Sequence, residues 1–269
     1  MIDARIPFAV EKPCGISAAE VQDVAVRAEA AGTFAAVPLV FRQSPMLSAI
    51  REATAGEGVQ VASFKFIGGM VDRYREARCE WMLSRATAGG GALINLGVHF
   101  LDLCRVLLPD TRLAVSGAAL SNTVAGLDID DHAVVLLRGG DATCMVETGY
   151  LYPAPNSVFD LHYSIRTERH YIVVRDAGSV EVADMSRQRR VLAMPTINAP
   201  LYPGFVADVL CRVERNQPPV AGLADMAAAM ELVEAACRAA PLPLPPKPWL
   251  DPTAPGAGAP NYGGSIIAK

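Results

Sequence analysis

The chain has 269 residues, enough for one large domain or two small ones with a sizeable core. Its formal net charge is -4 without a Lys/Arg block, and no apolar run approaches the roughly 18 residues of a membrane helix, so we expect neither nucleic-acid nor membrane binding. The six cysteines form no C-x-x-C pair and no secretory signal is present, which predicts reduced thiols and a cytoplasmic setting.

The first 45 residues have the pattern of a parallel α/β unit. An apolar run at 6–10 ends in Glu11-Lys12-Pro13, where the proline cannot donate to a sheet and ends the strand. The capping box at 17–20 and the apolar spacing after it predict a helix that stops at Gly32. Residues 34–41 are predicted to form a second buried strand, parallel to the first.

After Ser44-Pro45, which predicts the start of a short helix over 46–53, consecutive strands dominate. Strands are predicted at 59–66, 112–120, 132–138, 142–150, 158–166 and 170–175, and helices at 92–108, 205–213 and 223–239. Strands that follow one another without helices favour an antiparallel sheet, whose one face the helices cover. The predicted fold class is therefore α+β, divided into 1–45, 46–240 and an irregular Pro/Gly-rich tail at 241–269.

The helix after the triple glycine at 89–91 carries three polar side chains among apolar ones. At helical spacing Asn95 and His99 (i,i+4) and His99 and Asp102 (i,i+3) share one stripe. The surrounding apolar residues indicate a buried helix, in which polar groups need hydrogen-bond partners or a cavity. Two interpretations stay open: a satisfied hydrogen-bond cluster in the core, or one wall of an active site.

Lys12 is a further candidate because it lies at the carboxyl end of a predicted parallel strand, where α/β sheets bind ligands. It could equally be a solvated surface ammonium, and a single buried histidine such as His99 is often structural. The acidic residues at 128–132 match no metal-ligand spacing, so no metal site is predicted. No G-x-S-x-G elbow and no G-x-G-x-x-G turn after a strand is present.

Four segments follow one another in an order typical of one family. They are Glu11-Lys12-Pro13 before a capped helix, F-R-Q-S-P at 41–45, Trp81 ahead of G-G-G-A-L-I-N-L-G-V-H-F-L-D at 89–102, and P-P-V at 218–220 before an Ala-rich helix. Together they resemble the Gfo/Idh/MocA (glucose-fructose oxidoreductase/inositol dehydrogenase) group of nicotinamide-dependent sugar and polyol dehydrogenases. The resemblance spans about 6–240, and 89–102 is its most specific part.

The resemblance implies an NAD- or NADP-dependent oxidoreductase acting on a small sugar or polyol, and a homodimer or larger assembly formed through the open sheet. Residues 1–45 would be the last strands of a parallel Rossmann domain, and 46–240 the substrate and oligomerisation domain. The implied site residues are Lys12, His99 and Asn95 for catalysis, Arg42, Trp81, Asp102 and Tyr150 for the substrate, and Glu11, Lys12 and Pro13 for the cofactor.

Two departures from the family pattern affect this interpretation. The family's glycine fingerprint lies before the E-K-P strand, and here only ten residues precede Glu11. We therefore do not expect this chain alone to bind NAD(P) in the usual way. The family's aspartate in the glycine-led helix is Asn95 here, and a neutral amide cannot stabilise an imidazolium by charge.

Three hypotheses follow. The chain is an oxidoreductase of this family, or it is an enzyme that reuses the substrate pocket for a cofactor-independent elimination, epimerisation or cyclisation, or it is a non-catalytic oligomerising module. Retention of Lys12, His99 and Asp102 favours the first hypothesis.

Overall fold

A computed structural model describes residues 1–153 and 158–242. A small parallel sheet opens the chain: strand β1 (Phe8–Ala9) leads into helix α1 (Ala18–Ala30), which returns to strand β2 (Ala35–Ala36), parallel to β1. The Ser17 hydroxyl accepts a hydrogen bond from the Glu20 amide, and Gly32 has a φ of 62° after the helix, as the capping box and the glycine predict.

The second predicted strand, at 34–41, is shorter than expected. After Ala36 the chain leaves the sheet and forms a 3-10 turn at Val40–Gln43, then helix α2 at Pro45–Ala53. The Ser44 side chain caps α2 by accepting from the Leu47 amide at 3.0 Å. The apolar run is buried against the helices rather than in a long sheet, and a run of apolar residues does not distinguish these two cases.

An eight-stranded mixed sheet forms the main layer. Its strands are β3 (Val59–Gly69), β4 (Ala114–Ser121), β5 (His132–Gly139), β6 (Ala142–Tyr152), β7 (Asp160–Thr167), β8 (His170–Asp176), β9 (Ser179–Asp184) and β10 (Arg189–Ala193). Their order is β10-β9-β8-β7-β3-β6-β5-β4, and every neighbouring pair is antiparallel except β3 and β6, which are parallel. The predicted α+β class, with a small parallel sheet and a mostly antiparallel one, is confirmed.

Several short elements were not predicted. Strands β9 and β10 extend the sheet beyond the last predicted strand, and β10 is an exposed edge strand that begins with two arginines. Helices α3 (Asp72–Glu76) and α4 (Arg85–Ala88) lie between β3 and the glycines. Strand β10 and the two short helices have no buried alternation or long apolar stripe, so hydrophobic periodicity gives no signal for them. Strand β9 does alternate, with Val180 and Val182 buried, but it is only six residues long.

Helices cover one face of the large sheet. The glycine-led helix, α5 (Val98–Leu107), lies on the sheet through Phe100, whose ring stacks on Phe64 with centroids 5.6 Å apart and also contacts Tyr163. Helices α6 (Tyr202–Glu214) and α7 (Leu223–Ala239) complete the layer, and α1 packs on α7. One hydrophobic core therefore runs across the boundary at residue 45.

The opposite face of the sheet carries exposed apolar side chains. Val61, Leu136, Tyr171 and Val191 are 41–66% exposed, and in β5 Leu136 alternates with the buried Val135 and Leu137, which face the helices. The described part of the chain leaves this face uncovered. The predicted tail at 241–269 lies almost entirely outside the described residues.

The helix predicted at 92–108 is not uniformly α-helical. Residues Leu93–Gly97 form a π-helical turn, in which the Val98 amide bonds to the Leu93 carbonyl five residues earlier, and only then does α5 begin. The stretch 85–107 has the length and hydropathy of a membrane span, but 67% of its apolar window is buried inside the protein. Its burial is that of a core helix.

Candidate active site

The triple glycine lies directly against a buried carboxylate. Asp130 accepts hydrogen bonds from the amides of Gly91 and Leu93, each at 2.7 Å, and its own carbonyl accepts from the Ala92 amide at 2.9 Å. A Cβ atom on Gly91 would lie 1.9 Å from the Asp130 carbonyl oxygen, so no other residue fits there. Asp130 thus satisfies the free backbone amides at the start of the helix and fixes the position of the residues that follow.

Lys12 and Asn95, 83 residues apart in sequence, form the centre of the site. The Lys12 ammonium donates to the backbone oxygen of Asn95 at 2.6 Å and to its side-chain Oδ1 at 2.8 Å. Burial lowers the pKa of Lys12 to about 8, although Glu11 raises it. The amine therefore exchanges its proton near neutral pH, as a general acid or base requires.

Two tyrosines fix the orientation of the Asn95 amide. Its Nδ2 donates to the hydroxyls of Tyr74 at 2.7 Å and Tyr150 at 2.9 Å, and Tyr150 donates in turn to the Gly91 carbonyl at 3.1 Å. Arg73 donates to the Tyr74 hydroxyl at 2.7 Å. Since that hydroxyl already accepts two hydrogen bonds, its own hydrogen is free to be donated elsewhere.

His99 lines a cavity of about 200 Å³, together with Phe41, Phe66, Arg73, Leu96, Phe100, Phe159 and Asn198. It is 4% exposed, and neither ring nitrogen has a hydrogen-bond partner among the described residues. Burial, and secondly the charge of Lys12, hold the pKa of His99 well below its ordinary value, so the imidazole is neutral at pH 7. A neutral imidazole beside a cavity can donate or accept one hydrogen bond from a bound hydroxyl.

The polar stripe predicted on the helix splits into two sites. Asn95 bonds to Lys12 and the tyrosines, and His99 faces the cavity and the edge of Phe41. Asp102 lies elsewhere, 2% exposed, in a bidentate ion pair with Arg42 at 2.7 and 2.8 Å. The π-helical turn between Asn95 and His99 breaks the simple i,i+4 relationship on which the stripe was predicted.

The other predicted site residues lie in different parts of the structure. Arg42 also pairs with Asp225 at 2.9 Å, and the Arg42–Asp102 pair links the crossover segment to α5 and α7 rather than lining the cavity. Tyr150 belongs to the Asn95 network, whereas Trp81 is 55% exposed in a 3-10 turn. Glu11 is exposed and accepts from the Tyr202 hydroxyl at 3.1 Å, and Pro13 follows Lys12 at the end of β1.

The acidic run at 128–132 has structural roles. Asp131 accepts from the amides of Val124 and Ala125, each at 2.7 Å, and Asp130 closes the glycine turn. Within 1–153 and 158–242, no three His, Cys, Asp or Glu side chains group in a way that could hold a metal ion.

The described residues do not fit the pyrophosphate of a dinucleotide. In parallel α/β folds that group sits at the N-terminus of a helix that follows a strand, and α1 is the helix that joins the two described strands of the small sheet. Here the N-terminus of α1 is occupied by carboxylates of the chain itself: Glu20 accepts from the Ile16 amide at 2.9 Å, and Glu234 accepts from the Ala18 amide at 2.7 Å. Two carboxylates at this position would repel a phosphate.

Sequence reasoning missed three residues of the site: Arg73, Tyr74 and Asp130. Arg73 and Tyr74 lie in a five-residue helix whose pattern is too short to detect, and nothing local connects it to Asn95. Asp130 belongs to the acidic run at 128–132, for which the sequence predicts no metal site. A hint was present, because Gly90-Gly91 must expose backbone amides that need an acceptor.

Comparison with known proteins agrees with this fold. Residues 49–181 match the model of the GFO/IDH/MocA C-terminal domain, and no curated protein sequence matches the chain. The crystal structure of GenD2 from gentamicin A biosynthesis, in complex with NAD, is 25% identical, with a TM-score of 0.70 over 88% of this chain and 70% of that one.

Two further solved structures share the fold at lower identity. Levoglucosan dehydrogenase in complex with NADH and levoglucosan is 18% identical, with a TM-score of 0.74 over 88% of this chain and 73% of that one. An oxidoreductase from Agrobacterium radiobacter, in complex with NAD+, L-tartaric acid and magnesium, is also 18% identical, with a TM-score of 0.74 over 88% and 72%. Residues 49–181 therefore carry a domain of the GFO/IDH/MocA C-terminal type, and the fold around it is similar to that of these solved oxidoreductases.

Proposed function

We propose that the chain binds a sugar, polyol or related hydroxyl or carbonyl substrate in the cavity beside His99, and that Lys12 transfers the proton in a Gfo/Idh/MocA-type oxidation or reduction. The supporting observation is the buried Lys12 amine, which is held by both oxygens of Asn95, four residues before His99 on the chain, and whose pKa burial lowers to about 8. The similarity to an oxidoreductase family supports the reaction class.

The chemistry assigned to the residues is limited to the proton. When Lys12 is neutral, its two N–H groups serve the two Asn95 oxygens, and its lone pair remains to accept the proton of a substrate hydroxyl. In the reverse direction the ammonium returns that proton to the developing alkoxide. His99 orients the same oxygen by one hydrogen bond, and the aromatic lining excludes water.

The family implies NAD or NADP as hydride carrier. Because the described residues do not fit its pyrophosphate, we assign no step to it here. Titration of the full chain with NADH and NADPH, followed by nucleotide fluorescence, tests this directly. We expect no tight binding, and a dissociation constant in the low micromolar range would contradict the assignment of Glu20 and Glu234 as closing the α1 N-terminus.

The proton-transfer role is tested by turnover of the full chain on a panel of sugars and polyols with NAD+ and with NADP+. Lys12→Met should reduce kcat by roughly 100-fold or more, the usual contribution of a general acid or base. Lys65→Met is the matched control, because that lysine is paired with Asp160 at 2.7 Å on the sheet. Full activity in Lys12→Met would overturn the proposal.

The contacts of Lys12 with Asn95 suit proton transfer alone, and this supports a second candidate, a cofactor-independent lyase, epimerase or cyclase that uses the same Lys12 and His99. Incubation of the panel with the full chain without nicotinamide, followed by NMR of the products, separates the two. Conversion that is lost in Lys12→Met would establish the second candidate, and conversion only with nicotinamide would dismiss it.

A further inference from the structure

One charged side chain in the cavity has no role in proton transfer. Arg73 lines the cavity that His99 lines, and its guanidinium carbon lies 4.7 Å from the ring centroid of Tyr74 and 5.1 Å from that of Tyr150. Its Nη2 donates to the Tyr74 hydroxyl, whereas its Nε is buried without a hydrogen-bond partner among the described residues. The planar guanidinium is thus held in one orientation, and its Nε–H has no acceptor among the described residues.

The cavity provides no counter-charge for this cation. No carboxylate of the described residues lies within ion-pair distance of Arg73, and the neighbouring Asp72 is paired with Arg75 instead. The other groups nearby are the neutral imidazole of His99 and the Lys12 amine, whose pKa Arg73 lowers further. The cavity is therefore electropositive and lacks an anion.

A glycine next to Arg73 leaves space for its guanidinium group. Gly68 lies against it, since a Cβ atom there would be 3.1 Å from the Arg73 Nη1. An arginine held against two aromatic rings loses little conformational entropy when it binds an anion, and two parallel N–H donors match the two oxygens of a carboxylate. With a cavity of about 200 Å³, a small ligand is favoured.

We propose that Arg73 binds a carboxylate of the substrate, so that the substrate class is a small hydroxy acid, such as an aldonate or a uronate, rather than a neutral sugar or polyol. This inference rests on the proposed function of the same cavity. The hydroxyl to be oxidised would face Lys12 and His99 while the carboxylate faces Arg73.

Calorimetric titration of the full chain with D-gluconate and with D-glucitol tests the inference, because these probes share a six-carbon polyol chain and differ in one terminal carboxylate. The wild type should bind gluconate roughly tenfold or more tightly than glucitol, as a charge-assisted bidentate contact predicts. Arg73→Met should lose that preference, and Arg73→Lys should keep part of it.

Arg75→Met is the matched control, since Arg75 is two residues away, half exposed and paired on the surface with Asp72. It should keep the full preference for gluconate. Equal or tighter binding of glucitol by the wild type, no binding of either probe, or an unchanged preference in a folded Arg73→Met would each overturn the inference. Oxidation of neutral polyols that depends on Lys12 would leave the proposed function standing while the carboxylate inference fails.

Discussion

The Lys12 Nζ lies 2.6 Å from the backbone oxygen and 2.8 Å from the side-chain oxygen of Asn95. Both acceptors are neutral, so they stabilise the ammonium less than a carboxylate would. Burial therefore dominates and the pKa of Lys12 falls to about 8. In the family pattern, position 95 is an aspartate, which would hold the lysine charged.

Asn95→Asp should shift the pH dependence of the reaction. A carboxylate at this position favours the ammonium and raises the pKa of Lys12 from about 8 back towards 10.5. Because oxidation needs the neutral amine, the alkaline rise in kcat/KM should move to higher pH, and activity at pH 8 should fall. A pH–rate profile measures this shift. Asn216→Asp, in an exposed turn, should leave the profile unchanged, and an unchanged profile in Asn95→Asp would refute the role of Lys12.

Asp130→Asn should destabilise the protein and disturb the site together. The amide can accept only one of the two hydrogen bonds from Gly91 and Leu93, and an unsatisfied buried N–H costs about 1–3 kcal/mol. Urea denaturation gives the loss of unfolding free energy. Asp128→Asn, an exposed neighbour that accepts one hydrogen bond from the Arg85 amide, is the control and should cost less. Equal losses of unfolding free energy in the two variants would contradict the structural role of the buried Asp130 hydrogen bonds.

Two glycine substitutions should have opposite signs. Gly91→Ala places a methyl group 1.9 Å from the Asp130 carbonyl oxygen, so the glycine turn must move and the melting temperature should fall sharply. Gly204→Ala, in α6 with nothing within 4 Å, should stabilise the helix by about 0.5–1 kcal/mol. Thermal unfolding of both variants provides the measurement. A Gly91→Ala protein with the wild-type melting temperature would contradict the close contact.

Arg42→Met should lower stability more than substrate affinity. It leaves Asp102, which is 2% exposed, with only the 3.1 Å pair to Arg105, and breaking a buried ion pair costs up to about 3–5 kcal/mol. The unfolding free energy and KM of the same variant separate the two effects. Arg27→Met is the control, because its 3.9 Å pair with Asp3 lies on the surface and should be worth under about 1 kcal/mol. A raised KM with unchanged stability would instead support the predicted role of Arg42 in substrate binding.

The predicted assembly through the open sheet can be tested at Leu136, which is 41% exposed on the uncovered face. If the chain forms a homodimer there, Leu136→Lys should convert it to a monomer in size-exclusion chromatography with light scattering, because a lysine buried without a partner is costly. Val26→Lys on α1, where the side chain is 52% exposed, should leave the dimer intact. A monomeric wild type would reject the assembly.

The sequence predicts local features of the fold well and long-range ones poorly. Ser17 and Ser44 cap their helices as predicted, and the alternation in β5 places Ala133, Val135 and Leu137 in the core. Each of these depends on neighbours within a few residues. The parallel pairing of β3 with β6 has no such local signal, since three helices, several turns and two strands separate the partners.

For the site, too, the sequence predicts the residues better than the long-range contacts between them. Lys12, Asn95 and His99 were identified from the residues and the family resemblance, but their geometry was not. The helical stripe predicted that Asn95 and His99 would lie together on one side of the helix, whereas the Asn95 amide joins Lys12 to two tyrosines. Such contacts depend on how distant segments pack, and short elements such as α3 have too little periodicity to reveal them.

The π-helical turn at Leu93–Gly97 makes the site sensitive to chain length. Removing one residue from this turn would let an ordinary α-helix run through it and would rotate the preceding segment by about 100° about the helix axis. Gly91 would then lose its register with Asp130, and the Asn95 amide would turn away from Lys12. A surface loop would tolerate the loss of one residue. In this turn the same deletion should abolish the site, even though every site residue is still present in the sequence.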